Sequence, residues 1–290
     1  MRRVMTLALM VLATTTLVTA QTEPTASAPA ARKVVVGGGD VHYTVHGSGD
    51  RTLVLVHGWT CDQTSWQKVL PGLSRTYRVV TLDLPGHGAS AARPEGAYSM
   101  AQFAAALEAV RAATSVESAV FVGHSMGAAV ITRYAQEHPQ HVEALVFADG
   151  ILADPAVLPE IRKAMFVPPD ADEPALRREL IATMFSPATT QADKDAILTM
   201  MMRTPEVTAR GVMAGMFADD ALRPEPVTVP GYGVFADRPE MLPLSFVEKM
   251  VPGFRHVVLP GTGHFLMVEK PEEFNTALLA YVATVPRHRR

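Results

Sequence analysis

The chain has 290 residues, 48% hydrophobic and 19% charged, which suits one globular domain of enzyme size carrying an insertion. Its formal net charge is −3 and its only basic run is the terminal Arg287-His288-Arg289-Arg290, which argues against a polyanion partner such as a nucleic acid. A single cysteine, Cys61, excludes an internal disulfide and any cysteine-based metal cluster.

The chain opens with a segment of export type. Arg2 and Arg3 precede an apolar stretch over residues 5–18, and Val18-Thr19-Ala20 offers small residues before a cleavage point at about Gln21. The stretch falls short of the ~20 apolar residues a membrane span needs. Residues 1–20 therefore read as a signal peptide rather than an uncleaved anchor. The expected location is periplasmic or secreted, with no stable membrane insertion after cleavage. Residues 21–32, rich in Ala, Pro, Thr and Ser, read as a disordered linker.

From residue 33 the pattern is that of strands alternating with helices. Residues 34–36 and 41–45 predict an antiparallel pair around Gly37-Gly38-Gly39-Asp40. Residues 53–56 form a continuous apolar run, as in a strand buried on both faces, and lead into His57-Gly58-Trp59. Trp66, Val69, Leu70 and Leu73 recur at helical spacing. A strand over 79–82, a long turn over 83–90, a helix over 100–113 and strands over 119–122 and 144–148 follow. This rhythm predicts a mostly parallel sheet flanked by helices, an α/β fold. It stops over 151–226, where helical candidates at 174–185 and 191–202 are separated by Pro, Asp and Gly, predicting a helical cap. The segment holds Met165, Met184, Met200, Met201, Met202, Met213 and Met216. The α/β pattern resumes with strands over 231–235 and 254–259 and a closing helix over 271–285. The expected organisation is thus core over 33–150, cap over 151–226 and core again over 227–290.

The chemistry concentrates at Gly123-His124-Ser125-Met126-Gly127, which fits G-x-S-x-G between a predicted strand and a predicted helix. Such a turn lifts the serine hydroxyl clear of the backbone and sets the next N–H at the positive end of a helix. A serine is a weak nucleophile at neutral pH, so it needs a histidine to take its proton and a carboxylate to orient that histidine. His264, in Gly261-Thr262-Gly263-His264-Phe265 after the last strand, is the histidine candidate. The chain order Ser, Asp, His is the one found in α/β-hydrolases.

Over residues 33–285 the sequence resembles the α/β-hydrolase superfamily, in its serine-nucleophile, cap-bearing, esterase-like branch. The matching motifs are His57-Gly58-Trp59, Asp83-Leu84-Pro85-Gly86-His87-Gly88-Ala89-Ser90, Gly123-His124-Ser125-Met126-Gly127, and Gly263-His264-Phe265 with Glu269-Lys270-Pro271. The resemblance implies Ser125 as nucleophile, His264 as general base and an oxyanion hole made of the Trp59 and Met126 N–H groups. It implies Asp237 as the triad acid, at the family's usual distance from His264. The Gly-x-x-Asp-Pro form is missing and the strand before Asp237 is short, so Asp149, at an earlier strand end, is the alternative.

Trp59, Met184, Met213, Phe217 and Phe265 are the candidate substrate contacts, since methionines and aromatics suit an irregular apolar ligand. His57 and His87 are expected to hold glycine turns, and His124 to pack. Cys61 is expected to be a small buried hydrophobe, Asp62 a helix cap and Trp66 a core anchor. No histidine pair has metal-ligand spacing with a carboxylate, so neither metal nor cofactor is expected. The reading is an exported serine hydrolase whose partner is a small-molecule ester or lactone. Amide, carbon–carbon and perhydrolysis chemistry use the same triad. A hydrolase-fold binding or accessory protein is the non-enzymatic alternative.

Overall fold

The computed structural model describes residues 29, 31–93, 98–150, 152–237 and 244–287. The expected signal peptide and linker residues 21–28 lie outside the described residues, as do 288–290 of the basic tail.

An eight-stranded sheet forms the centre, in the order β1-β2-β4-β3-β5-β6-β7-β8. β1 (Ala31–Val36) and β2 (Gly39–His46) make the opening antiparallel hairpin, turning through Gly37 and Gly38 at positive φ. β1 thus starts inside the segment expected to be linker. β2 also runs antiparallel to β4 (Arg78–Leu82). The rest of the sheet is parallel, through β3 (Thr52–Val56), β5 (Ala119–His124), β6 (Val142–Ala148), β7 (Gly231–Ala236) and β8 (Arg255–Leu259). Every residue of β3 and β5 is buried, as expected of central strands covered on both faces.

The helices follow the sequence signals closely where a cap marks the start. The helix expected from Trp66 onward is broken: Gln63–Trp66 form a 3-10 turn, and Pro71 in its first turn helps limit α1 to Leu70–Leu73. α2 (Met100–Ala113) begins at a full capping box, with Ser99 Oγ accepting the Gln102 N–H and Gln102 Oε1 accepting the Ser99 N–H. α3 (Met126–Glu137) packs on α2 and on β3, β5 and β6.

Between β6 and β7 the described residues form a 3-10 turn (Pro155–Val157), four α-helices and no strand: α4 (Leu158–Met165), α5 (Glu173–Ala182), α6 (Gln191–Met202) and α7 (Glu206–Met216). α8 (Leu244–Met250), α9 (Leu266–Glu269) and α10 (Pro271–Thr284) complete the chain. α10 starts with Pro271 in its first turn and Glu272 and Glu273 beside its positive end.

A buried ion pair ties the middle of the sheet to the closing helix. Arg51 Nε meets Glu143 at 2.7 Å, and Arg51 Nη1 donates to the Val282 carbonyl at 2.6 Å, joining the start of β3 to β6 and α10. The topology then fixes where chemistry can occur. β3, β5, β6 and β8 run parallel in one sheet, so His57-Gly58-Trp59, Ser125, Asp149 and the His264 loop all emerge at the same, C-terminal edge.

Candidate active site

Ser125 sits between the last residue of β5 and the first of α3, with φ 53° and ψ −120°. A serine rarely adopts this conformation, and holding it costs of order 1–3 kcal/mol. The two flanking glycines explain how the turn closes. A Cβ on Gly123 would lie 2.4 Å from the Gly127 main chain, and one on Gly127 would lie 2.4 Å from the Val56 carbonyl oxygen. Backbone bonds lock the turn: Ser125 N–H donates to Ala148 O at 3.1 Å, and Ala128 N–H donates to Ser125 O at 3.0 Å. Gly58 is equally constrained, since a Cβ there would lie 2.9 Å from Ser125 Cβ. The loop carrying the Trp59 N–H therefore runs directly against the serine. The Met126 N–H belongs to the first turn of α3, whose leading donors have no acceptor within the helix.

His264 follows β8 and is held from three sides. Its N–H donates to the Met184 carbonyl at 2.8 Å, and its carbonyl lies 2.9 Å from His124 Nε2. Its Nδ1 lies 2.6 Å from Asp149 Oδ2. A carboxylate accepts only from Nδ1–H, which leaves Nε2 as the ring's acceptor, the tautomer a general base requires. Asp149 is itself fixed. Its φ is 46°, its Oδ1 accepts the Ala236 N–H at 2.8 Å, and its own N–H donates to Val234 O at 2.9 Å.

Of the two acid candidates, the structure sets Asp149 and not the favoured Asp237 against the imidazole. β7 ends at Ala236, and Asp237 lies exposed just beyond it, where its Oδ2 accepts the Gly261 N–H at 3.0 Å. It braces the turn leading to His264 instead of pairing with the imidazole. The missing Gly-x-x-Asp-Pro form was the sequence signal for this outcome; the strand before Asp237, expected to be short, is the six-residue β7, as long as β5. The left-handed turn at Asp149-Gly150 aims the earlier carboxylate at His264.

The remaining histidines hold the frame. His57 Nδ1–H donates to Gly58 O at 2.8 Å and its Nε2 accepts the Leu84 N–H at 2.9 Å, joining the loop after β3 to the turn after β4. His87 lies 5.0 Å from His57, ring to ring, with Nδ1 3.1 Å from Pro85 O. His124, expected only to pack, also steadies the His264 main chain. All three are fully buried, and burial lowers each pKa. His87, disfavoured further by His57, and His124, disfavoured further by His264, are pushed down to about 3.

These shifts set an acid limit on the fold. In the unfolded chain such histidines take up protons below about pH 6.5, whereas in the folded chain they stay neutral until about pH 3. Stability is therefore complete above pH 6.5 and declines as pH falls through the interval. Going from pH 6.5 to pH 5, His87 and His124 together should remove roughly 3 kcal/mol, with His57 acting in the same direction. Urea unfolding at the two pH values measures this, and equal stability at both would refute it.

Ser125, His264 and Asp149 line a cavity of about 580 Å³. Trp59, Met184, Met213, Phe217 and Phe265 line it as well, and so do Met126, Met165, Met201 and Met216. Met200 and Met202 are not among its walls. The Trp59 indole N–H donates to the Ala209 carbonyl of α7 at 2.8 Å, which pins the ring against the inserted helices. Cys61 also faces the cavity; burial, and then Asp62, push its thiol pKa up, so it is a poor nucleophile. Asp62 caps the 3-10 turn through the Thr64 N–H, and Trp66 is fully buried in the core.

Sequence reasoning did not anticipate the tie made by Glu269. Its carboxylate accepts the Gly263 N–H at 2.6 Å, Ser186 Oγ–H at 2.9 Å and Thr189 Oγ1–H at 2.6 Å. The histidine loop and the turn between α5 and α6 thus share one anion. Among the described residues no group of three or more His, Cys, Asp or Glu could hold a metal ion. None of the described helices is long and apolar enough to cross a membrane.

Residues 53–277 match the family described as "Alpha/beta hydrolase family". The pimeloyl-[acyl-carrier protein] methyl ester esterase of Edwardsiella ictaluri is 27% identical over 249 residues, covering 81% of this chain and 94% of that protein. Among solved structures, a bacterial membrane phospholipase A superposes with TM-score 0.72 at 26% identity, covering 88% of this chain and 86% of that one. A thermophilic esterase from Thermogutta terrifontis gives TM-score 0.72 at 22% identity, covering 89% and 98%, a likeness of fold alone.

Proposed function

Since the chain belongs to the alpha/beta hydrolase family, we propose that it is an exported serine hydrolase of carboxylic esters or lactones bearing an apolar acyl or alcohol group. The observation that carries this reading is the His264 Nδ1–Asp149 Oδ2 pair at 2.6 Å, in one apolar cavity with a serine at positive φ. The similarity to an esterase of a methyl ester supports the ester bond as the target.

In this mechanism Ser125 Oγ attacks the carbonyl carbon while His264 Nε2 takes its proton. The resulting oxyanion is held by the Met126 and Trp59 N–H groups, and losing one such donor typically costs ~10²–10³ in rate. Collapse expels the alcohol, which leaves with the proton from His264. A water molecule then gives a proton to His264 and attacks the acyl-enzyme, releasing the acid and restoring Ser125. Asp149 keeps the imidazole in its working tautomer and stabilises it when charged.

The test is a p-nitrophenyl ester series from acetate to dodecanoate, with wild type and Ser125→Ala. The expected result is turnover by wild type with a higher kcat/KM for longer acyl chains, because flexible methionine walls gain contacts with each added methylene. Equal kcat/KM along the series would remove the apolar-substrate reading. No turnover, together with no labelling by a fluorophosphonate, would remove the hydrolase reading in favour of a binding protein. Labelling without ester turnover would point to amide or carbon–carbon substrates. Export rests on the sequence of residues 1–20. Periplasmic or extracellular recovery of a chain beginning near Gln21 supports it, and retention in the cytoplasm with Met1 intact refutes it.

A further inference from the structure

A second cavity, of about 530 Å³, lies beside the first and among the inserted helices. Five residues line both: Trp59, Met165, Leu180, Met213 and Phe217. One layer of residues therefore separates the reaction cavity from its neighbour. Trp59 is pinned by its bond to Ala209, whereas Met165 and Met213 are unbranched side chains that change shape at little cost. The passage of least resistance runs past the two methionines.

The second cavity also states what it can hold. It has three arginines on its walls, and each is matched by a carboxylate: Arg162 with Asp219, Arg177 with Glu173 at 3.0 Å and Arg210 with Glu206 at 2.8 Å. Arg210 spends further donors on the carbonyls of Val167, Pro168 and Ala171. The charges of these pairs cancel and leave no net charge for an ionic ligand, although Arg177 Nε keeps no hydrogen-bond partner. At the outer wall Phe166 is 67% exposed and Leu176 41% exposed, so an apolar surface meets solvent there. Large side chains of this kind lining a concave wall mark a place for an apolar ligand.

We propose that the second cavity is a subsite for the remote end of a long aliphatic chain whose ester carbonyl lies at Ser125, the chain passing between Met165 and Met213. The inference rests on the esterase reading and extends it to long-chain, uncharged substrates. A short acyl group is accommodated by the first cavity alone and makes no use of the second.

Ala214 and Ala164 line only the second cavity and are exposed on α7 and α4, so a larger residue at either projects into it with little demand on the core. Ala214→Phe is expected to lower kcat/KM for p-nitrophenyl dodecanoate at least tenfold, a loss of the size that a mismatched apolar pocket imposes. It should leave p-nitrophenyl acetate within twofold. Ala164→Phe, approaching from the other wall, should do the same. Equal losses on both esters, or none on either, overturn the proposal.

A second measurement separates this proposal from the esterase reading. In Ser125→Ala, the methyl ester of omega-bromododecanoic acid should quench Trp59 fluorescence, and the added Ala214→Phe should abolish that quenching. Quenching undiminished by Ala214→Phe, or absent altogether, overturns the subsite. If wild type hydrolyses neither ester, the esterase reading falls, and the quenching experiment still decides whether a long chain occupies the second cavity.

Discussion

Ser125→Ala is expected to lower kcat by about 10⁵–10⁶, down to the residual rate that binding and the oxyanion donors alone sustain. The fold should survive unchanged, because alanine retains the Cβ that the elbow already tolerates. Ser125→Gly is the sharper variant. The strained φ of 53° at Ser125 is one that glycine adopts freely. Ser125→Gly should therefore be as inactive as Ser125→Ala yet more stable than wild type by about 1–3 kcal/mol. Ester turnover and thermal unfolding of the three proteins measure both effects. Residual activity within a hundredfold of wild type in Ser125→Ala would remove Ser125 as nucleophile. A Ser125→Gly protein no more stable than wild type would remove the strain argument.

Asp149→Asn should cost about 10⁴ in kcat, whereas Asp237→Asn should stay within about twofold. The reason is a matter of donors. Asp149 Oδ1 accepts the Ala236 N–H and Oδ2 faces His264 Nδ1. An asparagine must keep its single oxygen on the Ala236 N–H and turn its NH₂ toward His264. Nδ1 must then accept, which moves the imidazole proton to Nε2 and removes the lone pair that should take the serine proton. At Asp237 an amide oxygen still accepts the Gly261 N–H, so the turn is preserved. kcat measured for both variants at saturating ester settles the matter, and the reverse ranking would return the acid to Asp237.

The strands, the opening hairpin and the bounds of α2 and α6 are legible in the chain because their signals are local. Apolar runs mark buried strands, Gly37 and Gly38 mark the hairpin, and Ser99 with Gln102 marks the start of α2. Ser125 and His264 are legible for the same reason, since each sits in a glycine-bearing turn whose residues are contiguous. The acid is not local in this sense. Which strand end reaches the imidazole depends on where β6 and β7 stop relative to one another, and β7 runs two residues past the partner of Ala148 before it reaches Asp237. The positive φ at Asp149 is equally invisible, because Asp-Gly after a strand is also an ordinary turn. The role of His124 needs the His264 carbonyl, which lies 140 residues away. α4 and α7 lack a side-chain cap of their own, so their starts carry only a proline and a first-turn glutamate.

Glu269 limits how freely the inserted helices can be exchanged between relatives to graft a new specificity. The turn after α5 gives Glu269 two hydroxyls, from Ser186 and Thr189, and gives His264 the Met184 carbonyl. A transplanted insertion that lacks this turn would leave the Glu269 carboxylate short of two donors and the His264 N–H without its acceptor. The graft would then carry its donor's walls but misalign the host's base. The unit that can be moved intact is the set of helices together with residues 184–189, and a chimera joined inside that turn should lose kcat before it loses affinity for the new substrate.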